Sequence, residues 1–324
     1  MAGRTSAVSL RSRPMTASER RVILTSAAGT VFEWYDFHLY GSLSSYIGAQ
    51  FFSPFPAATQ NIFALMAFAS GFLVRPFGAL VFGATQDMNG RKYAFLLTIL
   101  IMGTATFLVG ILPGYQTLGI AAPILLIVLR MAQGLALGGE YCGAAVYVAE
   151  HAPQNRRGYY TSYIQTTSTG GMLLSLVVIL VVTPLVNDNF PNVVQPGLDG
   201  AALLDAEGHP VSLDAWSVWG WRVPFILSAF LLLLSVYFRM TMAESSVYQK
   251  MQAEGAASKA PLREAFGQWK TAKIALIALF GLTAGQAVVW YTGQFFVLTF
   301  LKSVVMVDNF TANIFVAGAL VLGS

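Results

Sequence analysis

Long apolar runs constrain the fold of this 324-residue chain more than any other feature. A membrane-spanning helix needs about 20 mainly apolar residues, and the chain has seven such runs and the start of an eighth. These runs, called spans 1 to 8, cover residues 21–47, 59–84, 93–112, 120–148, 159–183, 222–241, 271–301 and 310–324. Hydrophobic residues make up 56% of the chain and charged residues 10%, which is too apolar for one soluble core. The sequence therefore predicts an all-α polytopic membrane protein.

The basic residues fall mainly in one set of loops. Of the 19 Lys and Arg residues, fifteen lie before span 1 or around the links between spans 2 and 3, 4 and 5, and 6 and 7. Only Arg222 and Lys302 lie on the other side. Because positively charged loops stay cytoplasmic, we predict a cytoplasmic N-terminus and location in a bacterial inner membrane.

The net charge of +4 is distributed along the helix ends. Such flanking charges favour contact with anionic membrane lipid. They do not form one patch, so nucleic acid is not expected as a partner.

Polar segments divide the chain into four parts. We predict a cytoplasmic tail over residues 1–20, a six-helix bundle over 21–241 and a cytoplasmic linker over 242–270. The bundle includes an external loop over 184–221, and 271–324 begins a second bundle. Neither a nucleophile–base set nor a Cys/His cluster is present in the sequence, so no enzyme activity, metal site or other cofactor is expected.

The short link between spans 2 and 3 carries closely spaced glycines and charges. Small residues there allow close approach of the two helices, and the Asp87 carboxylate can pair with a basic partner. The alternative is a solvated turn whose charges only follow the positive-inside rule. The residues of this link that we single out are Gly83, Asp87, Gly90, Arg91 and Lys92.

This link resembles the G-x-x-x-D-x-x-G-R-K loop of the major facilitator superfamily. Span 4, from Arg130 to Tyr141, is similar to the R-x-x-x-G-x-x-x-G helix of that superfamily, and its glycines four residues apart leave one smooth helix face. The resemblance implies that the link belongs to a closed cytoplasmic gate. It also implies a charge-network role for Glu150, Arg157 and Glu244. Glu140 lies close to the cytoplasmic end of span 4, and this position favours a gate or network role over substrate contact.

Three further strings, at residues 32–37, 73–78 and 219–225, are similar to the metabolite:proton symporter family. That family includes α-ketoglutarate, citrate and shikimate permeases and the proline/betaine transporter. The resemblance implies two six-helix bundles and proton-driven uptake of a small organic acid or zwitterionic osmolyte. Because the chain stops inside span 8, we expect a truncated form of this fold. The alternatives are a non-transporting membrane fragment and a transporter that is not coupled to protons.

Four ionisable residues lie inside predicted spans, where an isolated charge is costly and marks a functional site by default. By helix rise, Asp36 on span 1 and Arg130 on span 4 lie about 16 Å and about 14 Å from the outer ends of their spans. Glu33 and Arg75 lie deeper, at about 21 Å and about 24 Å. We therefore predict two pairs, Asp36–Arg130 and Glu33–Arg75, that take part in proton coupling. Static ion pairs between helices are the alternative.

Polar and aromatic side chains within the apolar runs are candidates for substrate contact. Gln286, Trp290 and Gln294 repeat every four residues and so share one face of span 7. An intramembrane Arg favours an anionic substrate, whereas Arg residues that are already paired allow a zwitterion. Interhelical hydrogen bonding is the alternative role for these side chains. The full set is Tyr35, Tyr40, Gln133, Gln165, Gln286, Trp290, Tyr291 and Gln294.

Overall fold

The computed structural model describes residues 17–194, 210–241, 244, 246–254 and 267–323. These residues are almost entirely helical, as the apolar runs predict. The predicted tail, external loop and linker lie partly outside the described residues, so the four-part division stays a prediction. The helices are α1 (Ala17–Ser42), α2 (Ser44–Phe51), α3 (Ala57–Asn89), α4 (Arg91–Ile111), α5 (Tyr115–Leu118), α6 (Ala121–His151), α7 (Arg157–Asn189), α8 (Ala215–Val218), α9 (Val223–Met240), α10 (Ser246–Ala253), α11 (Trp269–Ile277), α12 (Ala284–Tyr291), α13 (Val297–Ser303) and α14 (Asn309–Gly323).

Five of the helical stretches in the described residues are long and apolar enough to cross a membrane. They are α3, α4, α6, α7 and the stretch Gly220–Met240. Helix α1 is not among them because Glu33, Asp36 and His38 lower its hydropathy. A turn at Leu43 separates α1 from α2, so span 1 is not the single helix that we predicted. Gly41, Ser42 and Ser44 surround this break, and none of them favours a helix interior.

Glycines bring α3 and α6 into close contact along their length. A Cβ atom at Gly78 would overlap the backbone of Leu135, and one at Gly138 would overlap the backbone of Arg75. Gly71 and Gly134 face each other in the same way. The structure confirms the smooth face predicted for span 4, and small residues of this kind let membrane helices pack backbone to backbone.

The outer face of α3 is apolar and exposed. Ile62, Met66, Leu73 and Phe77 are each more than half exposed, and they recur at helical spacing on one side. Large exposed apolar surfaces of this kind are rare on soluble proteins. They fit a surface in contact with lipid.

Two ends of the helix assembly differ in their contacts. We call the end with the α3–α4 turn the Arg91 end, and the end with α2, α5 and α8 the α2 end. At the α2 end, Arg222 donates hydrogen bonds to the carbonyls of Gly110 and Leu112, 3.1 and 2.7 Å away. Gln50 donates to the Val218 carbonyl at 3.2 Å. These bonds connect the start of α9 to the end of α4, and α2 to α8.

The predicted external loop is shorter at its start than we expected. Helix α7 continues to Asn189 and so includes Pro184. Beyond it, strands β1 (Val193–Val194) and β2 (Ser212–Leu213) pair in antiparallel register. Residues 195–209 lie outside the described residues.

Span 7 is a succession of helical segments that includes two π-helical stretches, Ala278–Thr283 and Thr292–Phe296. Near it, α14 packs against α7. The contact is an apolar cluster that contains Met172, Leu176, Leu298, Ala312 and Val316. The last two spans therefore contact the first six through α7.

Candidate functional site

Asp36 lies in the middle of the helix assembly and is only 6% exposed. Its carboxyl group lies near the Thr106 hydroxyl on α4, which donates a hydrogen bond to the Met102 carbonyl at 3.0 Å. Thr106 also accepts a short hydrogen bond from the Gln133 side chain on α6. Among the described residues, Asp36 Oδ1 and Gln133 Oε1 have no hydrogen-bond partner. Helices α1, α4 and α6 thus bring together an acid, a hydroxyl and an amide, with two acceptor atoms unused.

Arg130 lies beside this group and is 3% exposed. Its guanidinium carbon is 4.0 Å from the centre of the Tyr40 ring, a cation–π contact. Within the described residues, Arg130 Nε and one terminal nitrogen have no hydrogen-bond partner. No ion pair within 4 Å links Arg130 to Asp36 in this part of the chain. The Tyr40 ring holds the guanidinium, so the direct pair that we predicted is not formed.

Arg239 joins two buried carboxylates closer to the Arg91 end. One of its terminal nitrogens is 3.1 Å from Glu33 Oε1, and the same nitrogen contacts Glu140 Oε1. The side chains of all three residues are at most 1% exposed. We call Glu33, Glu140 and Arg239 the buried triad.

The pairing predicted between Glu33 and Arg75 is wrong. Glu33 contacts Arg239 on α9, and the Arg75 guanidinium lies over two aromatic rings on α1 and α3. Its central carbon is 4.3 Å from the Phe37 ring centre and 4.2 Å from the Phe72 ring centre. The backbone of Arg75 packs against Gly138. Depth along the helix axis predicted the pair, but the direction in which each side chain leaves its helix decides the partner.

A second polar cluster lies at the Arg91 end. The Arg91 side chain donates two parallel hydrogen bonds to Glu150 and a third, 3.1 Å long, to Gln86. The Glu244 carboxylate accepts the backbone N–H groups of Arg91 and Lys92 at 3.0 and 3.3 Å. Glu244 therefore caps the first turn of α4, where a negative charge is favourable.

Further contacts attach the segment after α9 to this cluster. The Lys92 ammonium donates to the Met240 carbonyl at 2.7 Å, and the Tyr248 hydroxyl donates to the Met88 carbonyl at 2.9 Å. Gly90 has φ = 95°, which favours glycine. A Cβ atom there would also contact Glu244.

Three predicted gate residues contribute less to this cluster. In the described residues, Asp87 has no hydrogen bond or ion pair, so the basic partner that we expected is not found. Arg91, the nearest Arg in sequence, is turned toward Glu150. Arg157 is exposed, and Gly83 has open space where a Cβ atom would lie.

The predicted substrate residues are dispersed. Tyr35 and Tyr40 are fully buried and donate hydrogen bonds to the carbonyls of Pro224 and Ala64 at 3.0 and 3.1 Å. Gln165 is exposed and accepts a hydrogen bond from the Tyr141 hydroxyl at 2.5 Å. Among the predicted residues whose side chains the structure describes, Tyr40 contacts Arg130 and Gln133 contacts Thr106. The side chains of Gln286, Trp290, Tyr291 and Gln294 lie outside the described residues.

The family model described as "Sugar (and other) transporter" matches residues 22–280. The chain belongs to this transporter family. As a member of the major facilitator superfamily, it is a multi-pass membrane protein and not an enzyme. Its family therefore agrees with the resemblance found in the sequence.

The curated relatives of this chain are named for different substrates. The chain is 35% identical to the proline/betaine transporter of Escherichia coli over 231 residues, which are 71% of this chain and 41% of that protein. It is 36% identical to the shikimate transporter of the same species over 263 residues, which are 80% of this chain and 54% of that protein. The chain thus spans about half the length of the curated relatives it matches.

A solved major facilitator structure has the same fold. The xylose transporter XylE of E. coli, in a partially occluded inward-open conformation, superposes with a TM-score of 0.60 over 95% of this chain and 70% of that chain. The sequence identity is 17%, so the likeness concerns the fold alone.

Sequence reasoning missed three residues of the transporter interior. Arg239 was counted with the basic residues that flank span 6, yet it is 0% exposed. Thr98 and Thr106 on α4 drew no attention because a lone Thr in an apolar run is common. A usable signal was present: Arg239 lies inside the apolar run 222–241 and not after it.

Proposed function

We propose that the protein carrying this chain is a secondary active transporter that moves a small carboxylate-bearing solute together with a proton. The observation that carries this proposal is the group formed by Asp36, Thr106, Arg130 and Gln133. It holds buried donor and acceptor atoms without partners among the described residues. Unsatisfied buried polar atoms cost free energy, which a bound polar ligand can recover.

Coupling follows from the charge at Arg130. Two anions can balance this cation in turn: the ionised Asp36 carboxylate or the carboxylate of a substrate. When Asp36 is ionised it satisfies Arg130 electrostatically, so a substrate anion has little to gain. When Asp36 takes up a proton, Arg130 becomes available. Binding of proton and substrate is then favourable together and unfavourable separately, which is the requirement for symport.

The substrate class follows from the same group. Arg guanidinium binds carboxylates with two parallel hydrogen bonds, and Arg130 has two nitrogens available for this purpose. Proline, betaine and shikimate, named for the two relatives, each carry a carboxylate. An organic acid and a zwitterionic osmolyte both fit this chemistry. We assign Tyr40 to holding Arg130, Gln133 to a polar contact with the solute, and Gln165 to the edge of the site. Tyr35 and the four side chains of span 7 remain proposals for substrate contact.

The polar cluster at the Arg91 end supports a gate. Arg91 with Glu150, and Glu244 with the first turn of α4, hold the ends of α3, α4 and α6 together. We propose that this end is cytoplasmic in a bacterial inner membrane, with Gly83, Asp87, Gly90, Lys92, Glu140 and Arg157 in or beside the gate. A partner for Asp87 would lie outside the described residues.

The test uses the full-length protein in proteoliposomes, with radiolabelled shikimate and proline as parallel probes. Asp36→Asn imitates the permanently protonated state, because an amide has the shape of a carboxyl group without its charge. We expect exchange of internal for external solute to persist and uphill accumulation driven by a pH gradient to be lost. Wild type should show both, and its accumulation should collapse with a protonophore. Asp188→Asn, the same chemical change at an exposed aspartate of α7, is the matched control and should keep both exchange and accumulation.

Two outcomes would contradict this assignment. If Asp36→Asn concentrates solute with normal proton dependence, the coupling role of Asp36 is wrong. If wild-type uptake is unaffected by a protonophore but follows a sodium gradient or only the solute gradient, proton coupling itself is wrong.

A further inference from the structure

The buried triad contains two acids and one base. A single terminal nitrogen of Arg239 contacts Oε1 of both Glu33 and Glu140, so the two carboxyl groups face each other across one cation. Taking a charge out of water costs several kcal/mol per ion unless a partner compensates it. If both acids were ionised, one negative charge would remain without a counter-charge.

The other elements packed around the triad supply no second cation in the described residues. Helix α4 contributes the Phe95 ring, 4.6 Å from the Arg239 guanidinium carbon, and the Thr98 hydroxyl. Helix α6 contributes Tyr147, whose side chain is neutral at ordinary pH. Helix α7 is uncharged from residue 164 to residue 187. Arg75 on α3 is directed to the rings of Phe37 and Phe72.

The contacts of the Thr98 hydroxyl also favour a protonated carboxyl group in the triad. Its hydroxyl oxygen is 2.6 Å from Glu140 Oε2 and 3.0 Å from the Phe95 carbonyl oxygen. A hydroxyl has one proton and can donate to only one of these acceptors. If Glu140 Oε2 carries a proton and donates it to Thr98, the Thr98 proton can satisfy the Phe95 carbonyl, and both contacts are hydrogen bonds.

We propose that Glu33 and Glu140 together hold one proton beside Arg239, and that the buried triad is a second proton-binding site, separate from Asp36. This deepens the proposed function but does not depend on it, since the bound proton can be observed without transport. Like-charged carboxyl groups that share a site lose their protons in separate steps. Because Arg239 supplies one positive charge, the proposed arrangement pairs it with one ionised carboxylate and leaves the other carboxyl group protonated.

The position of the triad gives this proton a route. Glu33 and Asp36 are three residues apart and so lie on one side of α1, about 4.5 Å apart along its axis. On α4, Thr106 beside Asp36 and Thr98 beside Glu140 are about 12 Å apart. A proton that leaves Asp36 toward the Arg91 end meets the triad before the Arg91–Glu150 pair.

The experiment is infrared spectroscopy of the purified chain in lipid nanodiscs at neutral pH. A protonated carboxylic acid has a C=O stretch separate from that of a carboxylate. We expect one such band to be lost in Glu33→Gln and also in Glu140→Gln, because the remaining acid ionises beside Arg239. Arg239→Gln should instead roughly double the band, since both acids then hold protons. Glu150→Gln, which removes an acid paired with Arg91, should leave the band unchanged.

Two results of this experiment would contradict the proposal. If neither Glu33→Gln nor Glu140→Gln reduces the band, the triad does not hold a proton, and the proposal is overturned. Should one of these variants misfold, Arg239→Gln still decides, because an unchanged band there contradicts the charge argument. Asp36→Asn keeps the triad intact and should keep its band. A negative result in this experiment leaves the transport test of Asp36 unaffected.

Discussion

Arg91 and Glu150 form a two-pronged ion pair that fastens the α3–α4 turn to the end of α6. Arg91 Nε lies 3.0 Å from Glu150 Oε2, and a terminal nitrogen lies 2.7 Å from Oε1. Both side chains are only 13–14% exposed. Paired geometry and partial burial make this contact stronger than an ordinary exposed ion pair.

The first prediction concerns this ion pair. Glu150→Gln removes the charge and one acceptor oxygen, so the end of α6 should open more often. The measurement is the maleimide labelling rate of Ala152→Cys in a background where Cys142 is replaced by Ser. Ala152 is 7% exposed and follows α6 directly. We expect labelling to be several-fold faster in Glu150→Gln.

A matched control for this experiment is Glu254→Gln, the same chemical change at an exposed glutamate whose side chain has no hydrogen bond or ion pair among the described residues. Its labelling rate should equal that of the parent. Equal labelling in Glu150→Gln and Glu254→Gln would show that the Arg91–Glu150 pair does not hold the end of α6.

The positions of most helices could be predicted from the sequence, because the length of an apolar run is a local property. The close contact of α3 with α6 could be predicted for the same reason, since it depends on the spacing of glycines within one helix. The glycines at 134 and 138 predicted a smooth face, and α3 packs on it. Direct charge partners were not predictable in the same way. Glu33 and Arg239 are 206 positions apart, so their contact depends on how α9 returns beside α1. No local pattern encodes that placement.

A second prediction tests the close contact of α3 with α6. Gly134→Ala adds a methyl group where the backbone of Gly71 lies, and overpacking of this kind costs about 1–3 kcal/mol. Gly83→Ala adds the same group where no atom lies within 4 Å, and in a helix Ala is more favourable than Gly by about 1 kcal/mol. Denaturant unfolding in one detergent should therefore show a lower free energy of unfolding for Gly134→Ala than for wild type, and a higher one for Gly83→Ala. Equal shifts would mean that the α3–α6 contact is looser than described.

A third prediction concerns the start of α14. The Asp308 carboxylate accepts the backbone N–H of Thr311 at 2.8 Å, and this bond holds the pKa of Asp308 below its ordinary value. A group with a lowered pKa in the folded state stabilises at higher pH, and that stabilisation is lost as pH falls through the lowered pKa. The loss therefore belongs below about pH 4.

Hydrogen exchange of the segment 309–323 measures this effect, with Asp308→Asn as the reference. Asn caps a helix as well as Asp does but does not titrate over this range. At about pH 7 the wild type should exchange no faster than Asp308→Asn, and at about pH 3 its relative protection should fall. If the ratio of the wild-type exchange rate to the Asp308→Asn exchange rate is the same at both pH values, the charge of Asp308 does not stabilise the start of α14. Asp308→Ala should exchange faster at both values.

The last prediction concerns stability at the buried triad. Removing one partner of a buried ion pair leaves an uncompensated charge and costs about 3–5 kcal/mol. Arg239→Met should therefore destabilise the chain strongly at alkaline pH, where Glu33 and Glu140 would otherwise carry charge. The deficit should shrink as pH falls, because protons then neutralise both acids. Adding Glu33→Gln and Glu140→Gln to Arg239→Met should recover much of the lost stability and remove its pH dependence, since a neutral network needs no counter-charge. Thermal unfolding of wild type, single and triple variants over a pH series checks this. If Arg239→Met loses the same stability at every pH, its cost comes from lost packing against Phe95 and not from the two carboxylates.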